Sequence, residues 1–411
     1  MHILYIHQHF AIPKGATGTR SYEFARRWVQ KGHQVTVITG HYDIGGLDYS
    51  STPQYIKGIK IIIAGNRYSN KQSFLRRVWS FLGFIWYAFV AGLKQKNVDI
   101  IFATSTPLTI GVSAMLLKIF KRIPFIFEVR DQWPAVPIAL GIIKNPMLKR
   151  ALSILEKKIY ISASAIVALS PGMAAGVNDV LGHIEREIVI SPNSCDLAHF
   201  HPGIDSASIR EKRNWCKKKI FLHSGAMGEA NGLDFIIDAA IKLRDISEIH
   251  FVIIGEGKER ERLLTRVDEE KLDNVEMLGS IPKLKLPGYF SAADVSMVIF
   301  ANHPILEHNS ANKFFDSLSA GKPVIINYSG WQRDLLEFHA AGFGCKQCDL
   351  DVFVDRIKTL AKNPELLINM GNEARKLGEK KFSRDLLSDR VISLLEKVYK
   401  NNREFNSRDS R

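Results

Sequence analysis

The sequence predicts an α/β protein made of two doubly wound domains with parallel sheets, and three observations lead to this prediction. At 411 residues the chain is too long for one ordinary hydrophobic core. Its 46% hydrophobic and 24% charged residues are typical of a soluble globular protein. Short apolar strands alternate with helical patterns to about residue 399, and such alternation produces parallel sheets with helices on both faces.

The chain opens with a strand, a glycine-bearing loop, a helix and a second strand. The predicted elements are a strand at Met1–His7, a helix at Ser21–Lys31 and a strand at Val35–Thr39. Gly15 and Gly18 lie in the loop, where the backbone is able to approach a ligand, and Arg20 lies at the start of the helix. The loop does not have the G-x-G-x-x-G spacing, and no acidic residue closes the second strand. A site of the NAD type is therefore disfavoured.

The alternation continues through both halves of the chain. Further strands are predicted at Val98–Thr104, Pro124–Val129, Ala165–Leu169 and from Ile188, and then at Ile220–His223, His250–Ile254, Val275–Leu278, Val295–Val298 and Pro323–Ile326. The polar stretch before about Lys219 is interpreted as a hinge. We therefore expect an N-terminal domain over residues 1–200 and a C-terminal domain over 201–383. A last helix over 384–402 is expected to pack back toward the first domain, and a disordered tail is expected over 403–411.

The basic charge of the chain is concentrated in its first half. The formal net charge is +14, and residues 1–200 hold 23 Lys and Arg against 11 Asp and Glu. Such a surface attracts anionic lipid, phosphorylated substrates or nucleic acid. Nucleic acid is disfavoured because no helix-turn-helix, zinc-finger or RNA-binding aromatic signature is present.

The four cysteines and the first residues bear on compartment and metal binding. The cysteines do not form a disulfide framework, and the N-terminus lacks the pattern of a secretory signal, so we expect a cytoplasmic location. Cys345 and Cys348 have the spacing of a redox pair or of half a zinc site, but no second pair lies at a suitable distance. No metal site is expected.

An aromatic helix is predicted between Ser73 and Asn97. It is apolar from Val78 to Leu93, it carries Trp79 and Trp86, and basic residues flank it, with Arg76 and Arg77 at its start. Its 16 uncharged residues are fewer than the roughly 20 that span a bilayer. Two alternatives remain, a helix buried in the first domain and a helix partly inserted at a membrane interface, where tryptophan and basic residues are favourable.

The most informative segment is Ser310–Ile326, which predicts a polar loop, a short helix from about Asn312, a glycine stop and a buried strand. The first turn of such a helix leaves backbone N–H groups unpaired at the positive end of the helix dipole. Lys313 adds a cation there, so the segment predicts a phosphate site. The alternative is a helix that only packs its apolar side chains, with Lys313 solvated.

Glycines follow two other strands of the second half. Gly225 and Gly228 come after the strand at Ile220–His223, and Gly255 comes after the strand at His250–Ile254. Because the carboxyl ends of parallel strands lie at one edge of a sheet, we expect these glycines near the Asn312–Lys313 turn.

The order of these motifs resembles the GT-B sugar-nucleotide glycosyltransferases of family 4, from His2 to about Tyr399. The resemblance is carried by the segments HFAIPKGATGTRSYEFARRWVQKGHQVTVITG, FIFEVRDQWPAVPIALG, ISPNSCDLAHF, FLHSGAMGEANGLDFIIDAA, VIIGEGKERERL, VEMLGSIPKLKLPGYFSAADVSMVIF and SANKFFDSLSAGKPVI. The Arg-Asp-x-Trp-Pro and Asn-Lys-Phe-Phe-Asp versions look most like the O-antigen and capsule branch that includes the N-acetyl-L-fucosamine transferases.

The resemblance implies two Rossmann-like domains facing a central cleft. The second domain is then expected to bind a UDP-sugar and the first its acceptor, a saccharide linked to a polyprenyl diphosphate at the inner face of the cytoplasmic membrane. No metal or cofactor is implied besides the sugar nucleotide. Retention of anomeric configuration is also an expectation of the resemblance.

Roles for individual residues follow from the same resemblance. Arg20 and Lys313 are expected to stabilise the leaving diphosphate, and Asp131 to orient the sugar or the acceptor hydroxyl, with helix capping as its alternative. Asp316 stands where the family has the second carboxylate of its E-x7-E motif, whereas the first position holds His308, with Glu307 beside it. The donor contacts are expected from Gly15, Gly18, Gly225, Gly228, Gly255, Ile281, His308, Ser310, Asn312 and Asp316.

Two other functions remain open at this point. A sugar-nucleotide 2-epimerase of similar architecture needs no lipid and would leave the Ser73–Asn97 helix buried. A non-catalytic membrane-binding or polymer-binding protein of the same fold is compatible with the displaced Glu307 and with the absence of Arg and Lys from Gly225–Asn231.

Overall fold

The computed structural model describes residues 1–15, 18–41, 44–47, 49–50, 52–67, 74–346 and 349–409. The chain divides into two compact units, one made of Met1–Pro192 with Arg384–Arg411 and the other of Asn193–Ser383. The division falls after residue 192 rather than at the predicted residue 200. The polar stretch that follows packs within the second unit, where the Cys195 N–H donates to the Phe382 carbonyl at 2.8 Å.

The first unit contains a sheet with the strand order β3-β4-β2-β1-β5-β6-β7-β8 among the described residues. Neighbouring strands are parallel except for β3, which is antiparallel to β4. The strands are β1 (His2–Ile6), β2 (Gln34–His41), β3 (Gln54–Ile56), β4 (Ile59–Arg67), β5 (Ile100–Thr104), β6 (Phe125–Val129), β7 (Ala165–Ala168) and β8 (Ile188–Ile190).

The central strands β1, β5, β6 and β7 are buried along their whole length. Their near-continuous apolar sequences fit a parallel sheet covered on both faces. The helices that cover it are α1 (Arg20–Gln30), α2 (Phe74–Leu93), α3 (Ile110–Lys121), α4 (Ala135–Ala139), α5 (Pro146–Ser162) and α6 (Pro171–Leu181). Local sequence fixes two of the helix starts. The side chains of Asn145 and Ser170 accept hydrogen bonds from backbone N–H groups of α5 and α6, and a proline follows each of these two residues.

The second unit contains an all-parallel sheet with the order β11-β10-β9-β12-β13-β14 among its described residues. The strands are β9 (Lys219–Ser224), β10 (Ile249–Ile254), β11 (Val275–Leu278), β12 (Val295–Val298), β13 (Val324–Ile326) and β14 (Gly342–Gly344). The helices are α7 (Ala207–Lys212), α8 (Asp234–Lys242), α9 (Arg260–Glu269), α10 (Leu286–Ala292), α11 (Asn312–Ser319), α12 (Trp331–Phe338), α13 (Leu350–Lys362) and α14 (Pro364–Phe382).

The last helix, α15 (Arg384–Asp409), belongs to the first unit. The Trp28 indole N–H of α1 donates to the Ser388 carbonyl at 3.4 Å, and Arg27 pairs with Asp385 at 2.6 Å. A disordered tail was expected from residue 403, but the helix continues to Asp409. Arg403 reaches back one turn to the Tyr399 hydroxyl at 3.3 Å, a contact of the kind that supports helix ends.

Candidate functional site

The Asn312–Lys313 turn of the second unit lies where strand order reverses. β9 has β10 on one side and β12 on the other, and α11 follows β12 in the chain. In open α/β sheets, ligands bind beyond the carboxyl ends of the strands at such a point. The predicted phosphate site therefore coincides with the ligand-binding edge of this sheet.

The ammonium of Lys313 is held between neutral groups at this edge. Its Nζ lies 3.0 Å from Nε2 of His223, the penultimate residue of β9, and 3.1 Å from Oδ1 of Asn231. It also lies 5.8 Å from the centroid of the Phe300 ring. A charged Lys313 donates to an unprotonated His223 Nε2, so these contacts orient the cation without neutralising it.

Burial lowers the pKa of Lys313 to about 7. Burial and the neighbouring Lys313 hold the pKa of His223 well below its usual range, against an opposing interaction with the Met297 backbone. Desolvation disfavours a charged lysine, so an incoming anion would be strongly attractive to it. The electrostatics of the site thus favour a ligand with negative charge, such as a phosphate.

Two glycines bring the loops after β9 and β10 against this lysine. A Cβ on Gly225 would lie 2.8 Å from Lys313 Nζ, and a Cβ on Gly255 would lie 1.8 Å from the Gly225 carbonyl oxygen. Both have φ near +151°, which favours glycine. Gly228 differs, because a Cβ on this residue would meet nothing within 4 Å. Gly225 and Gly255 thus shape the lysine pocket, while Gly228 borders open space.

Asn193 fixes the loop that precedes α11. Its side-chain amide donates to the Ser310 carbonyl, and its backbone N–H donates to Ser310 Oγ at 3.1 Å. Ser310 is buried, whereas Asn312 is exposed in the first turn of α11, which has no side-chain cap. Ser310 is therefore a structural support, and Asn312 lies at the uncapped helix start.

The remaining donor residues of the second unit are dispersed. Asp316 is half-buried on α11, one turn beyond Lys313, and His308 ends the short 3-10 helix Pro304–His308. Ile281 is half-buried and packs against the cluster around Phe200 and Phe290. A donor contact by Ile281 has no support beyond its position after β11.

The structure contradicts the prediction that Arg20 pairs with donor phosphates. Its guanidinium is buried and pairs with Glu128, with Nη2 and Oε1 2.9 Å apart. It also donates to the Ser191 and Pro192 carbonyls and to Ser191 Oγ. Its donors are committed within the first unit, so Arg20 stabilises this unit instead of binding a ligand.

Asp131 is exposed just beyond β6 in the first unit. One of its carboxylate oxygens accepts from Thr106 Oγ1 at 3.1 Å. It does not cap α4, which begins at Ala135 after Pro134. Its predicted orienting role stays a prediction.

The Gly15–Gly18 loop is described only in part, since Ala16 and Thr17 lie outside the described residues. Gly15 is buried, and its N–H donates to the Ile12 carbonyl at 2.8 Å. A Cβ on Gly45 would come within 2.6 Å of the Gly15 nitrogen, so the described end of the loop packs against another part of the first unit.

Helix α2 has one buried and one exposed apolar face. Phe84 and Phe89 are buried, whereas Trp79 is 72% exposed and Trp86 is 66% exposed. The side chains of Arg76 and Arg77 lie outside what the structure describes. Among the described residues, no helix has the length and hydrophobicity needed to cross a bilayer. The described residues also contain no cluster of three or more His, Cys, Asp or Glu suited to a metal, and Cys348 lies outside them.

Sequence reasoning missed His223, Asn231 and Phe300 as partners of Lys313. His223 ends the predicted strand Ile220–His223, whose other residues are apolar. This was a usable signal, because a polar residue at the carboxyl end of a buried strand often faces a ligand. Asn231 and Phe300 lie 82 and 13 positions from Lys313, and only the fold brings them together.

Comparison with known proteins assigns both units to families. A model described as "Glycosyl transferase 4-like domain" matches residues 15–193, and one described as "Glycosyl transferases group 1" matches residues 205–377. These matches follow the two units and together span most of the chain. The chain belongs to the GT-B glycosyltransferases of the family-4 type.

One curated relative is the putative colanic acid biosynthesis glycosyl transferase WcaI of Escherichia coli (strain K12), which is 30% identical over 122 residues. This match covers 29% of the chain and 30% of the length of the relative.

Solved structures share the fold over nearly the whole chain. Sucrose-phosphate synthase from Thermosynechococcus elongatus is 17% identical with a TM-score of 0.78, and the match covers 97% of this chain and 99% of the other. Anabaena Alr3699/HepE, solved in complex with UDP-glucose, is 15% identical with a TM-score of 0.70, covering 97% and 100%. These likenesses confirm the predicted GT-B fold.

Proposed function

We propose that this chain transfers a sugar from a UDP-sugar to a lipid-diphosphate-linked acceptor. The observation that carries the proposal is the Lys313 ammonium, held by His223 and Asn231 at the strand-order reversal of the second unit. Anabaena HepE, which shares the fold, was solved with UDP-glucose. A diphosphate bound at the Lys313 pocket is consistent with the geometry around Lys313 and with the UDP-glucose complex of HepE.

In this proposal, the Lys313 pocket acts on the leaving group. Negative charge grows on the diphosphate as the glycosidic bond breaks, and a preorganised cation in a buried pocket stabilises that charge more than it stabilises the ground state. The uncapped start of α11 adds backbone N–H groups with the same sign of potential. We propose that these groups make a metal ion unnecessary and that the configuration of the sugar is retained.

The proposed acceptor lies at the inner face of the cytoplasmic membrane, to which the protein would bind peripherally. The exposed Trp79 and Trp86 support this, since an aromatic face on an otherwise packed helix suits the interface of a bilayer. The exposed Lys94 and Lys96 at the end of α2 suit anionic lipid.

The donor sugar and the pathway are narrower proposals. The sequence motifs favour an N-acetylated deoxyhexose such as N-acetyl-L-fucosamine, used in O-antigen, capsule or exopolysaccharide synthesis. The name of the E. coli relative, which refers to colanic acid, supports a surface polysaccharide as the product class.

A thermal-shift titration with UDP, GDP, CMP and NAD tests the donor class. A ligand at 100 times its Kd adds about 2.7 kcal/mol to the free energy of unfolding. We expect UDP to raise the melting temperature of the wild type and to leave that of Lys313→Met unchanged. The matched control is Lys362→Met, which removes an exposed lysine at the end of α13 in the same unit. No rise with any nucleotide would favour a non-catalytic binding protein.

Product analysis separates transfer from epimerisation. Incubation with a UDP-sugar panel and a lipid-linked acceptor should yield a glycosylated lipid and free UDP. Release of isomerised UDP-sugar without the lipid would instead support a 2-epimerase.

A further inference from the structure

Arg130 stands at the ligand-binding edge of the first unit. It directly follows β6, and its backbone N–H donates to Ser105 Oγ, just beyond β5, at 2.8 Å. β1 has β2 on one side and β5 on the other, so strand order also reverses here. His7 directly follows β1. These three residues therefore share the edge where a doubly wound sheet binds ligands.

The guanidinium of Arg130 is a half-buried cation with a neutral partner. Its Nη1 lies 3.2 Å from Nε2 of His7. Burial, and then Arg130, hold the pKa of His7 well below its usual range and lower that of His9 to about 4. Within the part of the chain that the structure describes, Arg130 forms no ion pair with a carboxylate. Arg130 is therefore not neutralised by direct contact with a carboxylate, although Asp131, the next residue, is exposed at the same edge.

His7 is itself held in one orientation. Its Nδ1 lies 2.9 Å from Ser21 Oγ, which accepts from the Tyr5 hydroxyl at 2.8 Å. Arginine only donates hydrogen bonds, so Nε2 of His7 must carry the lone pair and Nδ1 the proton. Tyr5, Ser21 and His7 thus form a buried chain that ends on Arg130 and fixes the direction of its guanidinium.

The apolar surface of the same unit starts at this edge. α2 follows β4 and α3 follows β5. Since both strands run parallel to β1, both helices begin at the carboxyl edge of the sheet. Trp79 and Leu82, in the first half of α2, are 72% and 50% exposed. A cation and an exposed apolar face on one edge suit an amphiphile with a phosphorylated head.

We propose that Arg130, oriented by His7, binds a phosphate group of the prenyl-diphosphate-linked acceptor. A planar guanidinium makes two parallel hydrogen bonds to a phosphate, which a lysine does not. His7 acts as a positioning residue and does not touch the ligand. The inference rests on the proposed function and adds to it the residue that selects a charged lipid head.

Calorimetric titration with farnesyl diphosphate and farnesol tests the inference, with UDP present at saturation to occupy the donor site. Arg130→Gln should weaken farnesyl diphosphate binding by about 10- to 100-fold, the range for a hydrogen bond to a charged group, and leave farnesol binding unchanged. Arg150→Gln, which removes an exposed arginine from the same unit, should bind both as the wild type does. Arg130→Lys should bind farnesyl diphosphate with intermediate affinity.

Variants of His7 distinguish positioning from folding. His7→Gln keeps an acceptor near the position of Nε2 and should retain most of the farnesyl diphosphate affinity, whereas His7→Leu should lose it to nearly the extent of Arg130→Gln. Equal binding by the Gln and Leu variants would overturn the role of His7.

The role of Arg130 is overturned if Arg130→Gln binds farnesyl diphosphate normally, or if it loses UDP binding instead. A wild type that binds farnesyl diphosphate through Arg130 but binds no UDP would leave this inference standing while the proposed donor fails.

Discussion

At the scale of single residues, the Lys313 ammonium links the chemistry of the site to pH. Its partners His223 and Asn231 supply lone pairs but no negative charge, and burial lowers its pKa to about 7. Part of the protein therefore carries a neutral lysine near neutral pH. A bound diphosphate would raise that pKa again, because an opposite charge favours the protonated form.

The affinity for UDP should consequently fall as the pH rises above about 7. Binding then requires uptake of a proton by Lys313, and the limiting slope is a tenfold loss of affinity for each pH unit. His223 does not titrate in this range, because its pKa lies well below the usual value. The terminal phosphate of UDP, with a second pKa of about 6, is already ionised.

Titration calorimetry between pH 7 and 9, in buffers of different ionisation enthalpy, measures both the affinity and the proton uptake. Lys313→Met should bind UDP more weakly and without this pH dependence. A wild-type affinity that stays flat from pH 7 to 9 would show that Lys313 does not titrate in this range, and normal UDP binding by Lys313→Met would show that Lys313 is not the phosphate ligand.

Arg20 illustrates the opposite case, a charged residue whose role is structural. Its partner Glu128 is fully buried and also accepts from Thr104 Oγ1 at 2.6 Å. Arg20→Ala leaves that carboxylate without its counter-charge, which should lower the free energy of unfolding by about 3–5 kcal/mol. Urea unfolding measures this loss.

A double variant serves as the control for Arg20. Arg20→Met with Glu128→Leu removes both charges and should be more stable than Arg20→Ala, since no unpaired carboxylate is left buried. If Arg20→Ala unfolds like the wild type but no longer binds UDP, the original assignment of Arg20 to the donor phosphates would be restored.

At the scale of elements, helix α2 divides its aromatic residues between two environments. Phe84 and Phe89 pack into the core of the first unit, and the Phe89 ring lies 5.3 Å from that of Phe120 on α3. Trp79 and Trp86 are mostly exposed, as are Ile119 and Phe120, and the Trp86 ring lies 5.9 Å from that of Phe89. The two interpretations of the sequence, a core helix and an interfacial helix, thus apply to different faces of α2.

Replacement of Trp79 and Trp86 by serine should release the protein from vesicles that contain anionic lipid. Loss of two interfacial indoles should weaken partitioning by at least about tenfold, given about 1.5–3 kcal/mol for burial of a large apolar side chain. Vesicle co-sedimentation measures the partitioning. Tyr55→Ser, at another exposed aromatic residue of the same unit, is the control and should sediment normally.

Two results would argue against the interfacial helix. Unfolding of the Trp79→Ser, Trp86→Ser variant would show that these residues belong to the core in solution. A folded variant that sediments as the wild type does would show that this face does not contact the lipid.

The success of sequence reasoning at this scale depended on local pattern. The apolar run Val295–Val298 predicted β12 residue for residue. β14 at Gly342–Gly344 was missed, because two of its three residues are glycines, which are rare in strands. β3 and β4 were missed as well, although β4 has an apolar run. The same dependence on local pattern holds for the site. The position of Lys313 at a helix start predicted its role, whereas the Arg20–Glu128 pair joins residues 108 positions apart and has no local signature.

At the scale of the whole molecule, the chain crosses between two separately packed units at residues 192–193 and 383–384. Each unit has its own sheet, its own reversal of strand order and its own cation at the ligand-binding edge. Arg130 serves in the first unit and Lys313 in the second. Because of this duplication, each unit is able to bind its own phosphorylated ligand. Transfer of a sugar from one phosphorylated substrate to another would require both.

Hydrogen–deuterium exchange on the full chain should separate the two ligands. UDP should slow amide exchange in the second unit, around His223–Asn231 and at the start of α11, because backbone N–H groups there gain a phosphate partner. Farnesyl diphosphate should slow exchange in the first unit, around His7 and after β6. Protection by UDP confined to the first unit would assign the nucleotide to the Arg130 edge and refute the division of substrates between the units. If UDP protects the second unit of Lys313→Met as it protects that of the wild type, only the role of the lysine pocket is refuted.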